Sequence, residues 1–208
     1  GIPYFVDEKH SVLMNPFVEF LRAAIEMVVQ SFSYESVFRY LRCGLSSLSR
    51  EETDAMENYV LALGIRGLKA YGETWTRGYR GIKPDEVPQR NLLREKFYAE
   101  VQPFAEQMKK KDATVRERTE ALYALAVQNQ MQEKLEERRQ QFEERGQEAF
   151  AKEYSQIYGI VMELLDKIVE VLGDEKMTLA EYQEILEAGF AEASVGIIPP
   201  TADQVLIG

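Results

Sequence analysis

Six side chains between positions 66 and 83 are of the types that hold nucleic acid: Arg66, Lys69, Trp75, Arg77, Arg80 and Lys83. Guanidinium and ammonium groups neutralise phosphates, and an aromatic ring among them offers a face on which a base can stack. Trp75 is the only tryptophan in the chain. The window 66–96 around it carries 8 basic residues against 4 acidic ones. The same residues also fit a loop that docks a protein partner or stays disordered, and composition alone leaves these readings open.

Other chemistry finds weaker support. The carboxylate pairs Glu51-Glu52 and Glu136-Glu137 could hold a metal or move protons, but both sit near Lys and Arg on helical faces, where ion-paired surface is the expected state. With His10 the only histidine, a His-rich metal site or a Ser-His-Asp triad is not expected. Cys43, the only cysteine, excludes an internal disulfide and suits a reducing cytosol. At a helix end on a partly apolar face, it reads as a small buried hydrophobe rather than a nucleophile. No GxxxxGK[ST] phosphate loop is present. Catalytic, cofactor-binding and metal residues are therefore all expected to be absent, and the chain to be inactive alone.

The elements that must carry these groups are helical. Asn15-Pro16 is a cap followed by proline at the first helical position. Phe17, Leu21, Ala24, Ile25, Val28 and Phe32 follow at helical steps, with Val18, Phe20 and Val29 on a second flank. A helix this apolar is expected to be buried. Ser33 opens a second helix to Cys43. Ser49-x-x-Glu52 opens a third, which Gly64 ends. Residues 64–88 hold five glycines and two prolines and are expected to be irregular. Helix resumes from Asn91 to about Lys111, with a kink or break expected at Pro103. Thr114-x-x-Glu117 caps a helix expected to run to about Arg145. From Gln147 to Leu172, Phe150, Tyr154, Ile157, Val161, Leu164, Ile168 and Val171 alternate by fours and threes as a core seam. Two long antiparallel helices should meet across Gly146. Thr178-x-x-Glu181 opens the last helix.

Both ends look like strands. Ile2 to Val6 and Gln204 to Ile207 are apolar, and an unpaired terminal strand is costly, so they are expected to belong to one sheet. The expected class is therefore mainly α, a multi-helix bundle with a minor β element from strands near both termini. The formal net charge is −10. It is uneven: residues 1–100 carry 13 basic and 14 acidic residues, and residues 101–208 carry 12 and 21. A general basic nucleic-acid binder is excluded, and no apolar run approaches the roughly 20 residues that span a bilayer.

Several stretches together resemble one family. They are Ile2-Pro3-Tyr4-Phe5, Asn15-Pro16, Tyr34-Glu35-Ser36-Val37-Phe38-Arg39-Tyr40-Leu41, Glu57-Asn58-Tyr59-Val60-Leu61, Gly64-Ile65-Arg66-Gly67, Glu184-Ile185-Leu186-Glu187-Ala188-Gly189, Ile198-Pro199-Pro200 and Asp203-Gln204-Val205. In order, they are similar to the B subunit of AddAB/RexAB-type ATP-dependent helicase–nucleases. The likeness is most specific over 2–66 and 178–208. Cys43, where the family pattern has Thr, departs from it.

The resemblance implies an internal fragment of a longer subunit. Residues 1–32 and 195–208 would flank it as pieces of a RecA-like helicase domain, the second of its kind, and 33–194 would be an inserted helical domain. The parent is implied to process double-strand DNA breaks for recombination in the cytoplasm, with the A subunit and DNA as partners. It is implied to use ATP, Mg and an iron–sulfur cluster, with the groups for these lying outside this chain. The rival expectation is an independent acidic helical scaffold for protein–protein interaction.

Overall fold

The computed structural model describes residues 8–197. Their order is β1 (Glu8–Ser11), a 3-10 turn (Val12–Met14), α1 (Pro16–Val29), α2 (Tyr34–Arg42), α3 (Arg50–Leu63), α4 (Leu68–Gly72), α5 (Glu86–Lys109), α6 (Val115–Gln128), α7 (Met131–Glu144), α8 (Glu148–Leu172), α9 (Leu179–Glu192) and β2 (Ser194–Ile197). The chain is mainly α with a small β element near the termini, as expected.

Side-chain caps fix where the helices begin. Asn15 Oδ1 accepts the Phe17 amide at 2.9 Å, and Ser33 accepts the Ser36 amide. Full capping boxes open α3 (Ser49, Glu52), α6 (Thr114, Glu117) and α9 (Thr178, Glu181). Each box satisfies two amides that a helix start would otherwise leave unpaired. Gly64 ends α3 in the left-handed conformation at φ 63°.

Helix α1 is the central post. Nine of its side chains are buried, from Phe17 to Val28, and it packs against α2, α5, α8 and α9. Phe20 lies 4.7 Å from Tyr40 of α2, and Phe17 stacks on Tyr158 of α8 at 5.9 Å. Ion pairs tie the same helices from outside: Arg22 to Glu187 of α9, and Arg39 of α2 to Glu19. A second, buried tie joins α5 to α2. The Glu100 carboxylate accepts from the Tyr40 hydroxyl and from the Ser47 amide, the latter at 2.8 Å.

Several sequence expectations are corrected. The helix from Thr114 is two helices, because Gln130 adopts the left-handed conformation at φ 52° and splits α6 from α7. No glycine or proline marks the break. Asn129, 4% exposed, turns its side chain back onto the Leu125 carbonyl, and the redirected α7 buries Met131 and Leu135. Residues 64–88 are less irregular than expected, since α4 lies within them and α5 starts at Glu86 rather than Asn91. Pro88 falls in that first turn, where a missing amide costs little. Pro103 does not break α5. In the α8 seam, Tyr154, Ile157, Val161 and Ile168 are buried, but Phe150 and Val171 are exposed. The paired helices across Gly146 are α7 and α8, so one leg is shorter than expected.

The sheet is an antiparallel pair, with Glu8 opposite Ile197 and Ser11 opposite Ser194. The strands expected at 2–6 and 204–207 lie outside the described residues.

Candidate nucleic-acid interface

The basic stretch is held as a strap across α3 and α5. Its anchor is Trp75, which is 7% exposed and stacks on Tyr59 of α3 with centroids 4.9 Å apart and planes at 17°. The indole N–H donates to the Ala70 carbonyl at 2.9 Å. Asn91 of α5 grips the backbone of the same residue from both sides. Its Oδ1 accepts the Trp75 amide at 2.8 Å, and its Nδ2 donates to the Trp75 carbonyl at 2.6 Å. Arg94, 4% exposed, donates Nε to Asn91 Oδ1 at 2.9 Å and Nη1 to the Tyr71 carbonyl at 2.8 Å. The Tyr59 hydroxyl donates to the Arg77 carbonyl, and burial pushes that phenol above its ordinary pKa. Tyr79 meets the Tyr59 ring edge-on at 6.0 Å.

The anchored strap leaves its cations outside. Arg66, Lys69, Arg77, Arg80 and Lys83 are all exposed. Lys69 has a loose pair with Glu73 at 3.7 Å, while among the described residues no carboxylate lies within 4 Å of the charged groups of Arg66, Arg77, Arg80 or Lys83, although Glu86 accepts the Lys83 amide at 2.8 Å. Thr74 and Thr76 are exposed beside them. A hollow of about 160 Å³ opens between Tyr59, Ile65, Trp75 and Arg77. Unpaired cations on a fixed backbone are suited to phosphate contacts, because little ordering is needed on binding.

Trp75 is the exception among the six residues singled out from the sequence. Its ring is enclosed by Tyr59 and Tyr71, so it fixes the strap and does not offer a free face to a base. The residues that sequence reasoning missed are its holders: Tyr59, Asn91 and Arg94. Asn91 to Arg94 is a three-residue helical step, and that spacing was the available signal, but nothing in the sequence says that this step faces Trp75.

The remaining candidates are structural. Glu52 belongs to a capping box and pairs with Lys96 at 2.9 Å, and Glu136 pairs with Arg139 at 2.8 Å. His10 lies in β1 opposite Val195. The Cys43 thiol donates to the Arg39 carbonyl at 3.4 Å, and burial pushes its pKa up to about 12. A half-buried, protonated and solitary thiol does not fit an iron–sulfur cluster, whose ligands are several thiolates. Among the described residues no three His, Cys, Asp or Glu side chains converge on a metal position, and no helix is long and apolar enough to cross a membrane.

No family model matches the chain. Curated relatives match it from end to end. It is 43% identical over 211 residues to the B subunit of the ATP-dependent helicase/deoxyribonuclease of Lachnoclostridium phytofermentans, covering 100% of this chain and 18% of that protein. For the protein of the same name from Clostridium novyi the identity is 40% over 206 residues, covering 99% and 18%. For that of Alkaliphilus metalliredigens it is 37% over 221 residues, covering 100% and 19%. The chain thus spans about a fifth of the relatives' length and is homologous to an internal segment of that B subunit, as the resemblance implied.

Proposed function

We infer that this segment of the B subunit of an ATP-dependent helicase/deoxyribonuclease serves its parent without chemistry of its own, by lining a DNA path and docking the A subunit. In that reading residues 33–194 are a helical insert, and 1–32 and 195–208 continue into a RecA-like host domain. The parent would act in double-strand break repair and recombination, in the cytoplasm. The side-by-side course of β1 and β2 supports the insert, since a chain that leaves and re-enters a host at one place needs its ends adjacent.

One observation carries the DNA assignment. Arg66, Arg77, Arg80 and Lys83 are exposed and their charged groups form no ion pair among the described residues, on a strap whose backbone is clamped. In an acidic chain, four unneutralised cations in one short stretch are a local reversal of charge. Their contacts would be to phosphates, which give affinity and salt sensitivity without sequence choice.

The test is fluorescence anisotropy with single- and double-stranded oligonucleotides at rising salt. Replacing Arg66, Arg77 and Arg80 by Glu should abolish binding. Each single reversal should lower the slope of log K against log salt by about one. Binding that is unchanged by the triple reversal would remove the strap from the DNA path.

A further inference from the structure

The hollow of about 160 Å³ beside the strap has fixed walls. Tyr59 and Trp75, both buried and stacked on each other at 4.9 Å, belong to its lining. Half-buried Leu63, Ile65 and Ala70 add apolar wall from the end of α3 and from α4. Its polar side is Glu73, Thr74 and Thr76, all exposed. Among the described residues the two threonine hydroxyls have no hydrogen-bond partner.

Two cations adjoin the hollow on backbone that is already held. Arg77 lines it, and its carbonyl accepts from the Tyr59 hydroxyl. Arg66 follows the lining residue Ile65 and lies between two tied amides. That of Ile65 donates to the Val60 carbonyl and that of Gly67 to the Phe32 carbonyl, each at 3.1 Å. A strand whose phosphates meet both guanidinium groups carries its bases past the hollow. The hollow is smaller than the roughly 300–1,000 Å³ of clefts that hold drug-sized ligands. It has room for one flat ring and excludes a base pair.

We propose that the hollow receives one nucleobase turned out of single-stranded DNA, while Arg66 and Arg77 hold the phosphates beside that nucleotide. The proposal rests on the reading of the strap as a DNA contact. The base lies against Leu63, Ile65 and Ala70, since Tyr59 and Tyr71 enclose the Trp75 ring. Its polar edge meets Thr74, Thr76 and the Glu73 carboxylate, which can accept from an exocyclic amine. A duplex must unpair and unstack a base to fill the hollow, so single strands are favoured. The walls stand before binding, and little ordering opposes it.

The experiment uses the full-length B subunit in complex with the A subunit, in EDTA to keep the strands intact. Fluorescence anisotropy compares a single-stranded oligonucleotide with one of the same length that carries no bases. Both are measured on the parent complex and on Ala70→Leu, which puts a larger side chain into the hollow. Bases should raise the affinity of the parent, and Ala70→Leu should cut that gain roughly tenfold, within the range that one held base contributes. A gain that is equal in the two proteins overturns the proposal, because additive effects mean that base and hollow do not meet. Arg66→Glu with Arg77→Glu should weaken both strands. If it weakens neither, the DNA reading of the strap fails, and the proposal with it. Should Ala70→Leu not assemble, the parent complex decides alone. A single strand bearing 5-iodouracil is irradiated on it, and adducts are mapped by mass spectrometry. An adduct within residues 59–77 supports the hollow, and adducts only elsewhere overturn it.

Discussion

At the scale of single residues, Asn91 decides whether the basic strap has a fixed course. Replacing it by Leu orphans both the amide and the carbonyl of Trp75, beside the Tyr59 ring. An unmet buried backbone group costs about 1–3 kcal/mol, so Asn91→Leu should lower stability by about 2–4 kcal/mol in urea titrations. Trp75 is the only tryptophan, which makes its emission a direct reporter of the strap. The variant should red-shift that emission before the helices melt, as followed by circular dichroism. The six candidate residues were legible as types, because charge and aromaticity are properties of a sequence. Which of them is core and which is surface was not. That distinction depends on Tyr59, Asn91 and Arg94, which converge on Trp75 only once α3 and α5 are in place.

At the scale of elements, helix starts were readable and helix breaks were not. A cap is a local event within four residues, so Ser49, Thr114 and Thr178 announced α3, α6 and α9 correctly. The break at Gln130 is tertiary: Met131, Leu135 and Lys134 all gain partners only if α7 departs from the α6 axis. Lys134 then donates to the carbonyls of Leu45 and Ser46 at 2.8 and 3.0 Å. A non-glycine residue at φ 52° is strained, and glycine adopts that conformation freely. Gln130→Gly should therefore stabilise the protein by about 0.5–1 kcal/mol, read as a higher urea midpoint with an unchanged slope. The caps also set a pH dependence. Glu52 and Glu181 are held below the ordinary carboxylate value of 4.5, chiefly by the amides of Ser49 and Thr178. Groups depressed in the folded state contribute stability that is complete above their unfolded pKa and lost as pH falls through the folded one. The thermal midpoint should thus hold from neutrality to about pH 5 and fall below the ordinary carboxylate range. Glu52→Gln with Glu181→Gln should flatten that acid limb in calorimetry.

At the scale of the whole molecule, one core runs from Val12 to Val195 and includes α1. The apolar periodicity of α1 and α8 made the helical body legible, since both must bury long stripes. The pairing of Glu8–Ser11 with Ser194–Ile197 was not legible, since EKHS has no apolar alternation and its register depends on where α9 delivers the chain. Similarity to a helicase/deoxyribonuclease B subunit covers 100% of the chain and 18% of that relative's length.

The β1–β2 ribbon has a mechanical meaning. Its outer ends, Glu8 and Ile197, are direct partners, so a pull applied through the two ends loads the cross-strand hydrogen bonds along their own length. Bonds loaded this way open one after another, like a zip, whereas bonds loaded across their length must fail together. The four register pairs from Glu8–Ile197 to Ser11–Ser194 would peel at low force. The helical body behind them, closed by the Val12 amide on the Ala193 carbonyl, would still be intact. Held at residues 8 and 197 in an optical trap, the molecule should show a small early extension followed by one large rupture. Such a ribbon acts as a soft coupling, through which a tethered rigid body can swing while its interior carries no load.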